Sequence, residues 1–145
     1  MLYITTMQYS EFLLELFYNL KALYQKNLKF PNVSFQQILA ILMVDNSGME
    51  MSSLSKKLGI DNSTATRLID GLEEKKLVKR KRGVSDNRVI KVFLTNKGKI
   101  FYNSIELQLE KIGYSIETKI DVNSRGEIIE SGISLNWAII KQLNK

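Results

Sequence analysis

A mainly α fold with a small β-wing follows from three features of the 145-residue sequence. Apolar residues recur three and four apart over most of its length, the period of a helix that buries one face. Between Leu77 and Leu94 two short runs alternate instead, which is the period of strands. Just before them, SSLSKKLGIDNSTATRLIDGLEEKKL reads as two helices divided by a glycine turn. Helix, tight turn, helix and two-stranded ribbon make a winged helix-turn-helix. The remaining sequence supplies N- and C-terminal dimerisation helices.

Taken in order, residues 1–6 are expected to be loosely held. Leu13, Leu16, Phe17, Leu20, Leu23 and Tyr24 form a stripe on a first helix from about Tyr9 to Lys26. Phe12 and Leu14 widen it beyond what the surface helix of a monomer needs. Pro31 disfavours helix at the residue before it and ends this segment. Ser34 and Gln37 have capping-box spacing for a second helix, whose Phe35, Ile38 and Leu42 are expected to be buried. Asp45-Asn46-Ser47-Gly48 is turn chemistry, and Met49 to Met51 are expected to add a third strand. Ser52 is expected to cap the next helix, with Leu54 and Leu58 inward and Gly59 at its end. Asp61 is the N-cap expected for the following helix, which buries Ala65, Leu68, Ile69 and Leu72.

The ribbon follows. Val78, Arg80 and Arg82 alternate with Leu77, Lys79 and Lys81, and Gly83 to Asn87 turn the chain. The return strand alternates Ile90, Val92 and Leu94 with Lys91 and Phe93. Thr95 is expected to cap a long helix whose Phe101, Ile105, Leu109, Ile112, Ile116 and Ile120 share a stripe. Asp121-Val122-Asn123 breaks it. Ser124 and Glu127 have capping-box spacing for a last helix to about Leu143. That helix carries Ile129, Ile133, Trp137 and Ile140 on one face and Ile128, Leu135 and Ile139 on another. Apolar residues on two faces at a terminus point to burial on both sides, hence to a second subunit.

Composition narrows the chemistry. Cysteine and histidine are both absent, which excludes disulfides, thiol catalysis and imidazole general bases. No acidic cluster has the spacing of a calcium loop, so no metal or cofactor is expected. Gly48, Gly59 and Gly83 are isolated turn residues rather than a phosphate loop, and no enzyme is expected. No apolar run has membrane-spanning length and no signal-peptide layout opens the chain, so the expected location is cytoplasmic. The net charge of +6 is unevenly placed. Residues 52–100 hold 13 Lys+Arg against 5 Asp+Glu, and the rest hold 8 against 10. Four of the five arginines, Arg67, Arg80, Arg82 and Arg88, lie in that basic half. Basic charge focused on a helix-turn-helix and its wing reads as an electrostatic footprint for nucleic acid, with double-stranded DNA as the expected partner.

LSKKLGIDNSTATRLIDGLEEKKLVKR, the wing triplet Asp86-Asn87-Arg88 and LTNKGK from Leu94 to Lys99 resemble the MarR family of winged-helix transcription regulators. The resemblance implies one domain over 1–145, with about 34–100 as the winged unit and about 7–27 and 100–145 as dimerisation helices. It implies a homodimer on a pseudo-palindromic operator, most often a repressor. Asn62, Ser63, Thr64, Thr66 and Arg67 match recognition-helix positions that meet bases and phosphates. Arg88 matches the minor-groove arginine, and Asp86 the acidic residue that orients it. The family usually has glycine where this chain has Lys76, so the recognition helix is expected to end differently.

The expected DNA-binding set also includes Ser52, through a helix N-terminus, and Arg80, Lys81, Arg82, Ser85 and Asn87 on the wing. Phe17, Tyr18, Tyr24, Met43 and Tyr102 read first as core. Their second reading is the lining of a small-molecule effector pocket between the dimer helices and the winged unit. The rival function is a winged-helix interaction module whose basic face takes an acidic partner protein.

Overall fold

The computed structural model describes residues 8–145. The segment 1–6, expected to be loosely held, lies outside them. Two compact units divide the chain, Met1–Leu109 and Glu110–Lys145.

The first unit opens with α1 (Tyr9–Asn27), then α2 (Phe35–Met43), β1 (Met49–Glu50), α3 (Met51–Leu58), α4 (Asn62–Glu74), β2 (Val78–Arg82) and β3 (Ile90–Leu94). α5 (Asn96–Glu117) begins here and crosses into the second unit. The sheet is antiparallel with order β1-β3-β2, so the expected third strand is present. The hairpin register pairs Val78 with Leu94 and Arg82 with Ile90.

Each helix starts for a local reason. In α2 the Ser34 hydroxyl accepts from Gln37 N, and Gln37 Oε1 accepts from Ser34 N, which closes the expected capping box. Asp61 caps α4 by accepting from Thr64 N at 2.8 Å. Thr95 caps α5 by accepting from Gly98 N at 2.9 Å, and its own hydroxyl donates to Lys76 O. Two expected caps are absent. Ser52 lies inside α3, where Glu50 takes the cap position and offers no side-chain bond. The β1–β3 pairing of Glu50 with Lys91 holds the chain extended until then, so the helix starts one residue before Ser52. In the second unit Ser124 makes no capping bond. Asp121 instead accepts from Asn123 N and nucleates a short 3₁₀ turn, Val122–Ser124, ahead of α6 (Arg125–Leu143). Arg125 then pairs with Glu117 at 3.1 Å.

Both helices of the helix-turn-helix close alike. Ile60 N donates to Ser55 O and Gly59 N to Lys56 O, with Gly59 at φ 65°. Leu77 N donates to Leu72 O and Lys76 N to Glu73 O, with Lys76 at φ 59°. Each is the paired closure that needs one left-handed residue. The expectation that α4 ends differently for want of glycine is thus corrected. The carbonyls of Leu72 and Glu73 would otherwise lose these partners, so the turn forms and Lys76 carries the strain. Lys76→Gly is expected to stabilise the fold by about 0.5–1 kcal/mol, read as a higher urea midpoint at unchanged slope. An unchanged or lower midpoint would contradict it.

Ile38, Ala40, Ile41, Leu54, Ala65, Ile69, Leu72, Val92 and Ile105 are fully buried in the first unit. Expectation and burial differ in α2, where Phe35 and Leu42 are half-buried and Ala40 and Ile41 go inward with Ile38. Leu58 and Leu68 are half-buried too. α1 has no buried residue, and Phe12, Leu14, Phe17, Tyr18 and Leu20 stand exposed on it. α6 likewise has none, with Ile128, Ile129, Ile133, Trp137 and Ile139 exposed.

Candidate nucleic-acid interface

α3, α4 and the wing bring together side chains that are far apart in sequence. Ser52, Asn62, Thr66 and Arg88 border one open groove, together with Glu50 and Val89. α3 gives the first, α4 the next two, and the wing the arginine. Arg67 lies exposed on α4, one position from Thr66.

The start of α4 is fixed by Asp61. Its carboxylate accepts from the Ser63 and Thr64 hydroxyls as well as from Thr64 N. The Ser63 hydroxyl first, then the Thr64 bonds, hold its acid form well below the ordinary aspartate range. The cap's contribution is therefore complete above the unfolded value and is lost as pH falls towards the depressed folded one. Ser63 and Thr64 spend their protons on Asp61, so towards an external partner their oxygens are acceptors. Thr66 Oγ1 donates to Asn62 O at 2.9 Å.

On the wing, Asp86 acts differently from the expectation. Its Oδ1 accepts from the Arg88 backbone N at 2.9 Å, and no ion pair joins it to the guanidinium among the described residues. It therefore sets the backbone of the turn and leaves the Arg88 side chain free in solvent. Val89 N returns to Asp86 O, Gly83 N donates to Val89 O, and the Arg82 guanidinium donates to Asn87 O at 3.4 Å. Ser85, Asp86, Asn87 and Arg88 are all exposed. Lys81 stands 5.5 Å over the Phe93 ring.

Arg80 is a correction to the basic run. Its guanidinium donates to Asp70 at 2.6 Å, to Glu73 at 2.6 Å and to Thr66 O at 3.1 Å. Its backbone N donates to the other Glu73 oxygen at 2.9 Å. Two carboxylates and a carbonyl use the planar fork, so Arg80 braces the wing strand against α4 instead of offering charge to a phosphate. Asp70 and Glu73, one turn apart on α4, were the sequence signal for this brace.

Of the five aromatic and methionine positions, Phe17 and Tyr18 are more than half exposed on α1, their rings 5.6 Å apart. Their core reading is therefore corrected: both side chains stand exposed among the described residues. Tyr24 and Met43 are half-buried. Tyr102 lines a separate groove with Asp45, Leu94, Lys99 and Asn103.

Among the described residues no group of His, Cys, Asp or Glu is arranged to hold a metal, and no helix is long and apolar enough to cross a membrane.

The geometry is that of a winged helix-turn-helix with a basic outward face, and comparison with known proteins agrees. The MarR family model matches residues 31–90. The HTH-type transcriptional regulator YybA of Bacillus subtilis (strain 168), itself described as uncharacterized, is 24% identical over 130 residues, spanning 82% of this chain and 85% of that protein. The crystal structure of a MarR transcriptional regulator from Methanosarcina mazei Go1 superposes with a TM-score of 0.78 at 26% identity, over 90% of this chain and 98% of that one. Streptococcus pneumoniae FabT, solved in complex with DNA, superposes with a TM-score of 0.74 at 22% identity, over 92% of this chain and 96% of that one. The match to the MarR family model and the likeness to these regulators cover the helix-turn-helix and wing, and the fold is that of MarR-type winged-helix proteins. The proteins it is similar to are transcriptional regulators, not enzymes.

Proposed function

We propose that the protein is a homodimeric, sequence-specific repressor in the cytoplasm, acting as a single MarR-type domain on a pseudo-palindromic operator. One observation carries the DNA reading: the groove that joins Ser52, Asn62 and Thr66 to the wing's Arg88. A recognition helix in the major groove puts its N-terminal residues on base edges, and an adjacent wing can reach the neighbouring minor groove. Asn62, Ser63, Thr64, Thr66 and Arg67 meet bases and phosphates. Ser52, Lys81, Arg82, Ser85 and Asn87 meet the backbone, with Asp86 fixing the turn that carries Arg88. Arg80 contributes through the brace rather than by contact. The apolar faces of α1 and α6, each without a buried residue, support a second copy of the chain as their cover.

A small ligand enters this reading by linkage. If it binds better to a dimer whose half-site spacing does not fit the operator, it lowers DNA affinity by that difference and no more. Phe17, Tyr18, Tyr24, Met43 and Tyr102 are the candidate positions, completed by the partner subunit.

The test is Arg88→Ala, measured against duplexes selected by the wild-type chain. An arginine in a narrow A·T-rich minor groove meets enhanced negative potential. The loss expected is about 1–3 kcal/mol, with weaker preference for A·T pairs at the outer positions. Unchanged affinity and unchanged preference would overturn the minor-groove role.

A further inference from the structure

Among the described residues Ser55 is the one buried polar side chain, 5% exposed. Its Oγ lies 2.8 Å from Asn62 Oδ1 and 2.9 Å from the Ser52 carbonyl. A hydroxyl has one proton and donates to one of these at a time. The Ser52 carbonyl is the acceptor for Lys56 N in the helical ladder, so it has a partner without Ser55. Among the described residues Asn62 Oδ1 has no other partner.

We propose that Ser55 is a positioning residue that determines which bases Asn62 reads. Ser55 donates to Oδ1, and the Asn62 amide turns its NH₂ outward into the groove shared with Thr66 and Arg88. Asparagine normally selects adenine with both ends of its amide, accepting from N6 and donating to N7. Ser55 takes one of the two Oδ1 lone pairs and holds the oxygen turned towards α3, so the NH₂ is the end left to meet a base. The major-groove edges that answer a donor are O6 and N7 of guanine and O4 of thymine. Adenine would keep one bond and leave its amino group unmatched. The inference rests on α4 being the major-groove helix and deepens that reading by naming the base chemistry of one contact.

The experiment selects bound duplexes from a random library with the wild-type chain, Ser55→Ala, Asn62→Ala, Asn62→Asp and the Ser55→Ala/Asn62→Ala double variant. The wild-type chain is expected to favour guanine or thymine over adenine by about tenfold at one position in each half-site. Asn62→Ala should abolish that preference, and Ser55→Ala should shift the same position towards adenine. The double variant should match Asn62→Ala, since the two residues act through one contact. Asn62→Asp keeps the acceptor for Ser55 and removes the outward donors, so it too should lose the preference; it carries the test if Ser55→Ala does not fold. Affinity for random duplex and its salt dependence should stay unchanged in Ser55→Ala, whose side chain is buried. Adenine or cytosine at the wild-type position, guanine or thymine retained in Asn62→Asp, or effects of Ser55 and Asn62 at different positions would overturn the inference. A wild-type chain that enriches no sequence would overturn the major-groove reading itself, and this inference with it.

Discussion

Raising salt from about 50 to about 200 mM is expected to weaken operator binding by about a thousandfold or more, the fall seen when a protein makes six to ten phosphate contacts. The basis is charge placement. Residues 52–100 hold 13 Lys+Arg against 5 Asp+Glu, while the remainder of the chain is slightly acidic. Arg80 is withdrawn from the basic side by Asp70 and Glu73. Arg67, Lys81, Arg82 and Arg88 remain exposed on α4 and the wing. In a dimer these are doubled, which reaches the number of contacts that the estimate needs. Each neutralised phosphate releases condensed counterions, so the logarithm of affinity should fall linearly with the logarithm of salt. Fluorescence anisotropy of a labelled duplex across that range measures the slope. A flat line would remove the electrostatic basis of binding. Arg80→Ala should leave the slope as it is, because a braced arginine releases no counterion.

Gly98→Ala is expected to destabilise the fold by about 3 kcal/mol, the upper part of the range for overpacking. A methyl group at Gly98 would overlap the Leu77 carbonyl oxygen and sit 3.4 Å from Thr95 Oγ1. The first obstacle is backbone at the root of β2, which cannot swing aside as a side chain can. Leu77 O is also the acceptor for Thr95 N, and Thr95 caps α5 through Gly98 N. A shift that makes room would therefore loosen the cap and the join between α5 and the wing. Thermal unfolding should show a midpoint lower by about 10 °C for a chain of this size. Gly113→Ala is the contrast, since nothing lies within 4 Å of the added methyl. It should be neutral or stabilising by up to about 1 kcal/mol, because alanine favours helix over glycine. Equal melting of the two variants would contradict the close approach.

Local chemistry is legible in the sequence. Ser34 with Gln37, Asp61 with Thr64, and Thr95 with Gly98 each satisfy a helix end within one turn of chain. Bonds that short depend on residue type and spacing, which a sequence displays. The hairpin was legible for a similar reason, because alternation and turn residues between Leu77 and Leu94 fix its register. Ser52 and Ser124 show the limit of that reasoning. Each has a capping side chain at a plausible place, and in each case a neighbouring element had already determined where the helix begins.

The sequence by itself determined the element order, the resemblance to MarR-type regulators, and the gathering of positive charge onto the helix-turn-helix and wing. It determined them because periodicity, caps and charge are properties of neighbours along the chain. Only the tertiary structure decided which of those charges and amides remain available. Arg80 meets Asp70 and Glu73 across ten and seven residues, and Ser55 meets Asn62 across a turn. Lys76 accepts a left-handed backbone because the carbonyls of α4 need partners. Such pairings depend on how whole elements pack, and packing balances the burial of many side chains at once rather than the preference of any one of them.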